Sequence, residues 1–78
     1  MTLEAYYALA KKNMEEHPDG RYRYGQALFN TLLGIRPDLA ERVRGTEIDP
    51  FHARGGVEDP RLYKFGEFVN REWDKPID

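Results

Sequence analysis

The sequence predicts an all-α domain, a compact bundle of four short helices with a structured loop between the third and the fourth. Three observations carry this. Apolar residues recur at three- and four-residue spacing in separate stretches. Helix-start and helix-stop residues fall at the edges of those stretches. Alternation is confined to Arg21-Tyr22-Arg23-Tyr24, too short to argue for a sheet.

The first helix starts after Thr2, a residue that caps helix N-termini, with Glu4 suitably placed in the first turn. Leu3, Tyr6, Tyr7, Ala10 and Met14 form one narrow apolar stripe. His17-Pro18-Asp19-Gly20 ends it, because proline disfavours helical geometry at the preceding residue and Asp-Gly is turn chemistry. A second helix is expected over Tyr24 to Leu33. Its apolar side chains point nearly all round the axis, which marks a central, buried helix. Gly34 is expected to close it in the left-handed conformation.

Pro37 suits the first turn of a third helix ending near Arg44 and Gly45, with Leu39, Ala40 and Val43 inward. Thr46 to Val57 reads as loop, anchored by Ile48 and Phe51. Asp59-Pro60 is a cap followed by a first-turn proline for the fourth helix. Leu62, Phe65, Val69 and Trp73 line one face of that helix, and Pro76 ends regular structure.

Seventy-eight residues make one domain, 1–78. Such a chain is only marginally stable without help, and with no cysteine the help comes from packing or a partner. Five Tyr, four Phe and one Trp supply large areas to bury. A net charge of -2 gives no global basic field for nucleic acid or anionic lipid. No apolar run approaches a membrane span, and no signal peptide is evident, so a cytoplasmic location is the expectation.

The catalytic inventory is thin. His17 and His52 stand apart in sequence, outside any ligand-spaced cluster, so no metal is expected. There is no serine, and Thr2, Thr31 and Thr46 have no activating context. Glu47 with Asp49 and Glu58 with Asp59 read as loop acids and caps. Gly55-Gly56 lacks the lysine and spacing of a phosphate loop. The expectation is a non-enzyme with no cofactor.

Gln26 and Asn30 share one sector of the second helix, one turn apart. Buried amides must find partners, and the nearest supply is the loop backbone at 45–51. The expectation is a structural latch, in which Gln26 and Asn30 tie down a loop shaped by Thr46 and Asp49; the alternative is a pair of exposed recognition amides beside Arg23. A candidate interaction surface comprises Arg21, Tyr22, Arg23, Arg61, Tyr63 and Arg71, with Phe68 partly exposed beside them, since Tyr and Arg are enriched at hot spots. The bland alternative packs Tyr22 beneath the first helix.

A helix-turn-helix is the competing motif. Gln26 lies eight residues before Gly34 and Val43 nine after it. Asn30 stands where that motif wants a small residue, Pro37-Asp38 and Glu41 sit on the would-be reading helix, and the domain is acidic.

Arg23, Gly25-Gln26, Phe29-Asn30, Arg44-Gly45-Thr46 and Asp49-Pro50-Phe51 together resemble a family of small uncharacterised proteins from bacteria and their phages. The resemblance covers about two-thirds of the chain, the closing helix Tyr63 to Trp73 included. This chain departs from it by inserting His52 to Glu58. The resemblance implies a bacterial or phage source and a shared fold, and carries over no catalytic residue. The function expected is that of an accessory or regulatory protein acting by protein–protein binding, with self-association a way to support so small a core. A helix-turn-helix DNA-binding regulator is the alternative.

Overall fold

The computed structural model describes residues 1–53 and 59–75. It contains helices α1 (Leu3–Glu16), α2 (Tyr24–Ile35), α3 (Pro37–Val43) and α4 (Pro60–Glu72), with a 3-10 turn at Pro50–His52 between α3 and α4. No strand occurs among the described residues. The all-α bundle expected from the sequence is the fold. Its radius of gyration, 11.8 Å, lies near the ~11.5 Å typical of a folded chain of this length. Residues 54–58 and 76–78, which include Gly55-Gly56 and Pro76, lie outside the described residues.

The caps are where the sequence places them. Thr2 Oγ1 accepts from the Ala5 N–H at 3.1 Å, and Asp59 Oδ1 from the Arg61 N–H at 2.8 Å. Caps of this kind contribute about 1 kcal/mol each. His17, before Pro18, is extended at φ -68, ψ 133 and ends α1.

The end of α2 differs from expectation. The helix runs through Gly34 to Ile35, and Gly34 takes no left-handed conformation. Pro37 is the reason: its ring excludes helical geometry at Arg36, which sits at φ -140, ψ 69 and caps both α2 and α3. Proline rather than glycine therefore stops this helix. Among the described residues the left-handed glycine is Gly45, φ 73, just beyond α3.

One core runs through all four helices. Tyr6 and Ala10 come from α1, Leu28 and Leu32 from α2, Leu39, Ala40 and Val43 from α3, and Phe65 and Val69 from α4. Trp73 stacks on Tyr6 at 5.3 Å between ring centroids. The Tyr6 hydroxyl donates to the Leu28 carbonyl at 2.7 Å, so this buried phenol is satisfied. Burial first, then the neighbouring phenols Tyr7 and Tyr24, push its pKa far up.

Helix α2 is the central element. Gly25, Ala27, Leu28, Phe29, Thr31 and Leu32 are buried, and the exposed sector is narrow, with Asn30 and Gly34 at its middle. Ile48 and Phe51 are half-buried against the core. Phe68 departs from expectation and is buried, because the Arg42 guanidinium of α3 lies 4.9 Å above its ring.

Candidate functional site

The junction between α2 and the loop is a clamp of close backbone contacts. A Cβ built on Gly25 would overlap the Pro50 carbonyl oxygen, so only glycine lets the two backbones meet. Arg23 reaches across from the start of α2. Its Nε donates to the Ala53 carbonyl at 3.1 Å and its NH2 to the Phe51 carbonyl at 3.2 Å. Asp49 is buried and shapes the loop from within. Its Oδ2 accepts from the Gly45 N–H at 2.7 Å and its Oδ1 from the Phe51 N–H at 2.9 Å. The Thr46 hydroxyl donates to the Val43 carbonyl at 2.7 Å and accepts from the Ile48 N–H at 3.3 Å.

Gln26 and Asn30 do not form the latch expected of them. Gln26 Oε1 accepts from the Arg23 N–H at 2.8 Å, a local helix-start contact. Asn30 is exposed and donates to the Tyr22 hydroxyl at 2.8 Å. Asn30 lies in the sector of α2 that faces water and Gln26 is only half-buried at its edge, so burial does not force either amide onto the loop. The tie to the loop belongs to Arg23 and Gly25. Both residues are in the sequence motif Arg23, Gly25-Gln26, but nothing local to them shows what they meet nearly 30 residues later.

The six residues of the expected interaction surface are not gathered in one place. Arg23 is committed to the loop carbonyls, and Arg61 NH1 donates to the Asp49 carbonyl at 3.4 Å. Tyr22 stacks on His17 at 3.9 Å between centroids and packs at the end of α1. Arg21 is exposed beside Asp19. Arg71 lies ten residues past Arg61 on α4, about 15 Å along the axis.

Tyr63 alone of the six lies on an open apolar surface. Its side chain is 68% exposed and borders a cleft of about 170 Å³ between α1, α2 and α4. Tyr7, Tyr24, Leu28, Leu62 and Phe65 form the rest of the wall, and Gly66 leaves the floor open. Burial raises the pKa of Tyr24, and burial together with the Tyr24 phenol raises that of Tyr7.

A second feature escaped the sequence reading. Glu72 is buried at the α3–α4 seam, with Arg42 at 2.8 Å, Lys75 at 2.7 Å and Arg71 at 3.7 Å. The hydrogen bond from Lys75 and then that from Arg42 hold its carboxyl below the usual range, against the cost of desolvation. Beside it, Arg36 donates to both Asp38 oxygens and to the Trp73 carbonyl, at 2.7 Å for the last. The signal was present as Arg42 plus a helix-end Arg71–Glu72–Lys75 run, but neither stretch names the other as its neighbour.

The α2–α3 pair is joined by Arg36 alone, whereas DNA-binding helix-turn-helix units use a turn of three or four residues. On α3, Glu41 is engaged by Arg44 at 2.8 Å and Arg42 by Glu72. Among the described residues, no group of three or more His, Cys, Asp or Glu could hold a metal, no buried side-chain N or O lacks a hydrogen-bond partner, and no helix is long and apolar enough to cross a membrane. Comparison with protein-family models, curated proteins and solved structures found no match.

Proposed function

We propose that this chain is a non-enzymatic accessory or regulatory protein of bacterial or phage origin that acts by binding another protein through the tyrosine cleft. The observation that carries the reading is Tyr63, a large side chain 68% exposed at the rim of an apolar cleft with two further tyrosines in its wall. Tyrosine presents a large, stiff, amphipathic surface with few torsions to freeze, which suits it to binding hot spots. The partner contact that fits is an aliphatic or aromatic side chain inserted above Gly66.

Three of the reactive side chains are occupied in folding, which favours the same reading. His17 is stacked on Tyr22 and accepts from the Asp19 N–H. Asp49 and Glu72 are taken up by the loop and the helix seam. The one-residue α2–α3 connection and the ion-paired face of α3 favour protein over DNA as the partner.

The test uses baits carrying a photo-crosslinker at position 63. Gly66→Leu fills the cleft, and a Cβ there meets only the Tyr7 hydroxyl at an ordinary 3.8 Å. The expected result is one protein crosslinked to the native-floor bait and lost with Gly66→Leu at unchanged melting temperature. Equal capture by both baits would remove the cleft from the reading, and salt-sensitive retention of duplex DNA instead of protein would replace it.

A further inference from the structure

The α3–α4 seam gathers more positive charge than folding it requires. Three cations, Arg42 of α3, Arg71 of α4 and Lys75 just past its end, surround the single carboxylate of Glu72. Glu72 is 8% exposed, while the three cationic side chains remain 55%, 62% and 61% exposed. Among these four side chains one buried negative charge meets three solvated positive ones, on a chain whose net charge is -2. The two acids of α3 do not cancel that imbalance. Asp38 is engaged by Arg36 at 2.9 Å and Glu41 by Arg44 at 2.8 Å.

The two guanidinium groups are also held in position. Arg42 lies 4.9 Å and Arg71 5.9 Å from the centroid of the buried Phe68 ring. Stacking on a fixed ring limits the rotamers each can adopt, so less freedom is lost when a ligand engages them. Arg42 is bound to Glu72 through NH1, and a guanidinium carries five N–H donors in all. Donors are therefore left over for an incoming carboxylate.

We propose that the Arg42–Arg71–Lys75 cluster around Glu72 is a docking site for an acidic segment of a partner protein, one bearing two or more closely spaced Asp or Glu side chains. This goes beyond the tyrosine cleft and does not depend on it. A patch of three cations suits a short run of carboxylates. A long phosphate backbone needs an extended track of cations.

The decisive measurement is an NMR titration of the isotopically labelled chain at low salt with a Glu-rich octapeptide, and in parallel with a Lys-rich octapeptide. The expected result is saturable shifts at residues 42, 71 and 75 with the acidic peptide alone, weakened by added salt. Arg71→Gln, which leaves the two shorter contacts to Glu72 intact, should weaken binding on the order of fivefold, the equivalent of one exposed ion pair. Arg21→Gln makes the same charge change at a residue beside Asp19 and should leave affinity within about twofold, as expected for screened charges at a distance. No saturable shift at the cluster, equal weakening by the two variants, or displacement of the peptide from the cluster by a tighter-binding DNA duplex would each overturn the proposal. Failure here would leave crosslinking at Tyr63 unaffected, so the two readings fall separately.

Discussion

At its N-terminal end α2 lies against the 3-10 turn with backbone touching backbone, whereas at the α3–α4 seam charged side chains edge the shared apolar core. The first junction rests on the missing Cβ of Gly25, the Arg23 bonds to two carbonyls and the Asp49 bonds to two N–H groups. The second rests on Glu72 with its cations and on Arg36 with Asp38 and the Trp73 carbonyl. Close packing is short-ranged and fails when an atom is added. Ion pairing with exposed partners tolerates changes of shape but responds to pH and salt. The molecule thus has one junction fixed by shape and one that its surroundings can tune. The proposed acidic-segment site lies on the tunable one.

The contrast breaks most sharply at Gly25. Gly25→Ala drives a methyl group into the Pro50 carbonyl and should cost about 3 kcal/mol, at the upper end for overpacking. Urea unfolding measures it, and a loss near zero would mean that the 3-10 turn can retreat freely. Asp49→Ala comes next. It leaves the Gly45 and Phe51 N–H groups without their acceptor and should cost about 2 kcal/mol. Asn30→Ala, on the exposed sector of the same helix, should stay within about 0.5 kcal/mol. If Asn30→Ala cost as much as Asp49→Ala, the loop would be held by the amides after all.

The smallest effect is also the most diagnostic of the charged seam. The folded state holds Glu72 below its ordinary pKa of 4.5. An acid so depressed contributes stability in full above that ordinary value, and the contribution is lost as pH falls through the lower folded value. Asp38, held down chiefly by its hydrogen bond from Arg36, acts with the same sign. Acid titration of the melting temperature should therefore show a limb below about pH 4.5 that Glu72→Gln flattens. A limb of unchanged steepness in that variant would assign the acid sensitivity to Asp38 and the remaining carboxylates.

Much of the fold was legible because its signals are local. Thr2, Asp59 and Pro60 act within one turn of helix, and Leu39, Ala40 and Val43 announce their common face by spacing alone. The error at Gly34 arose where two local signals competed. Glycine permits a helix to stop, but Pro37 forbids helical geometry at the residue before it, and the prohibition won. The latch was misassigned because an amide in an apolar helix looks buried until the exposed sector is known. Tyr63 could be singled out as an aromatic off the apolar stripe of α4. That Tyr7 and Tyr24 would join it could not be read from any one helix.

By itself the sequence determined the helices, the N-caps of the first and the fourth and the identity of the central one, since periodicity and capping depend on residues within a few positions of each other. Which polar group meets which was decided only by the tertiary structure. Arg23 finds a carbonyl 30 residues away and Arg36 one 37 residues away, and such meetings depend on where the helix axes come to rest. Hydrogen bonds and ion pairs act over a few ångströms, so a shift of one helical turn would give every one of these groups a different partner.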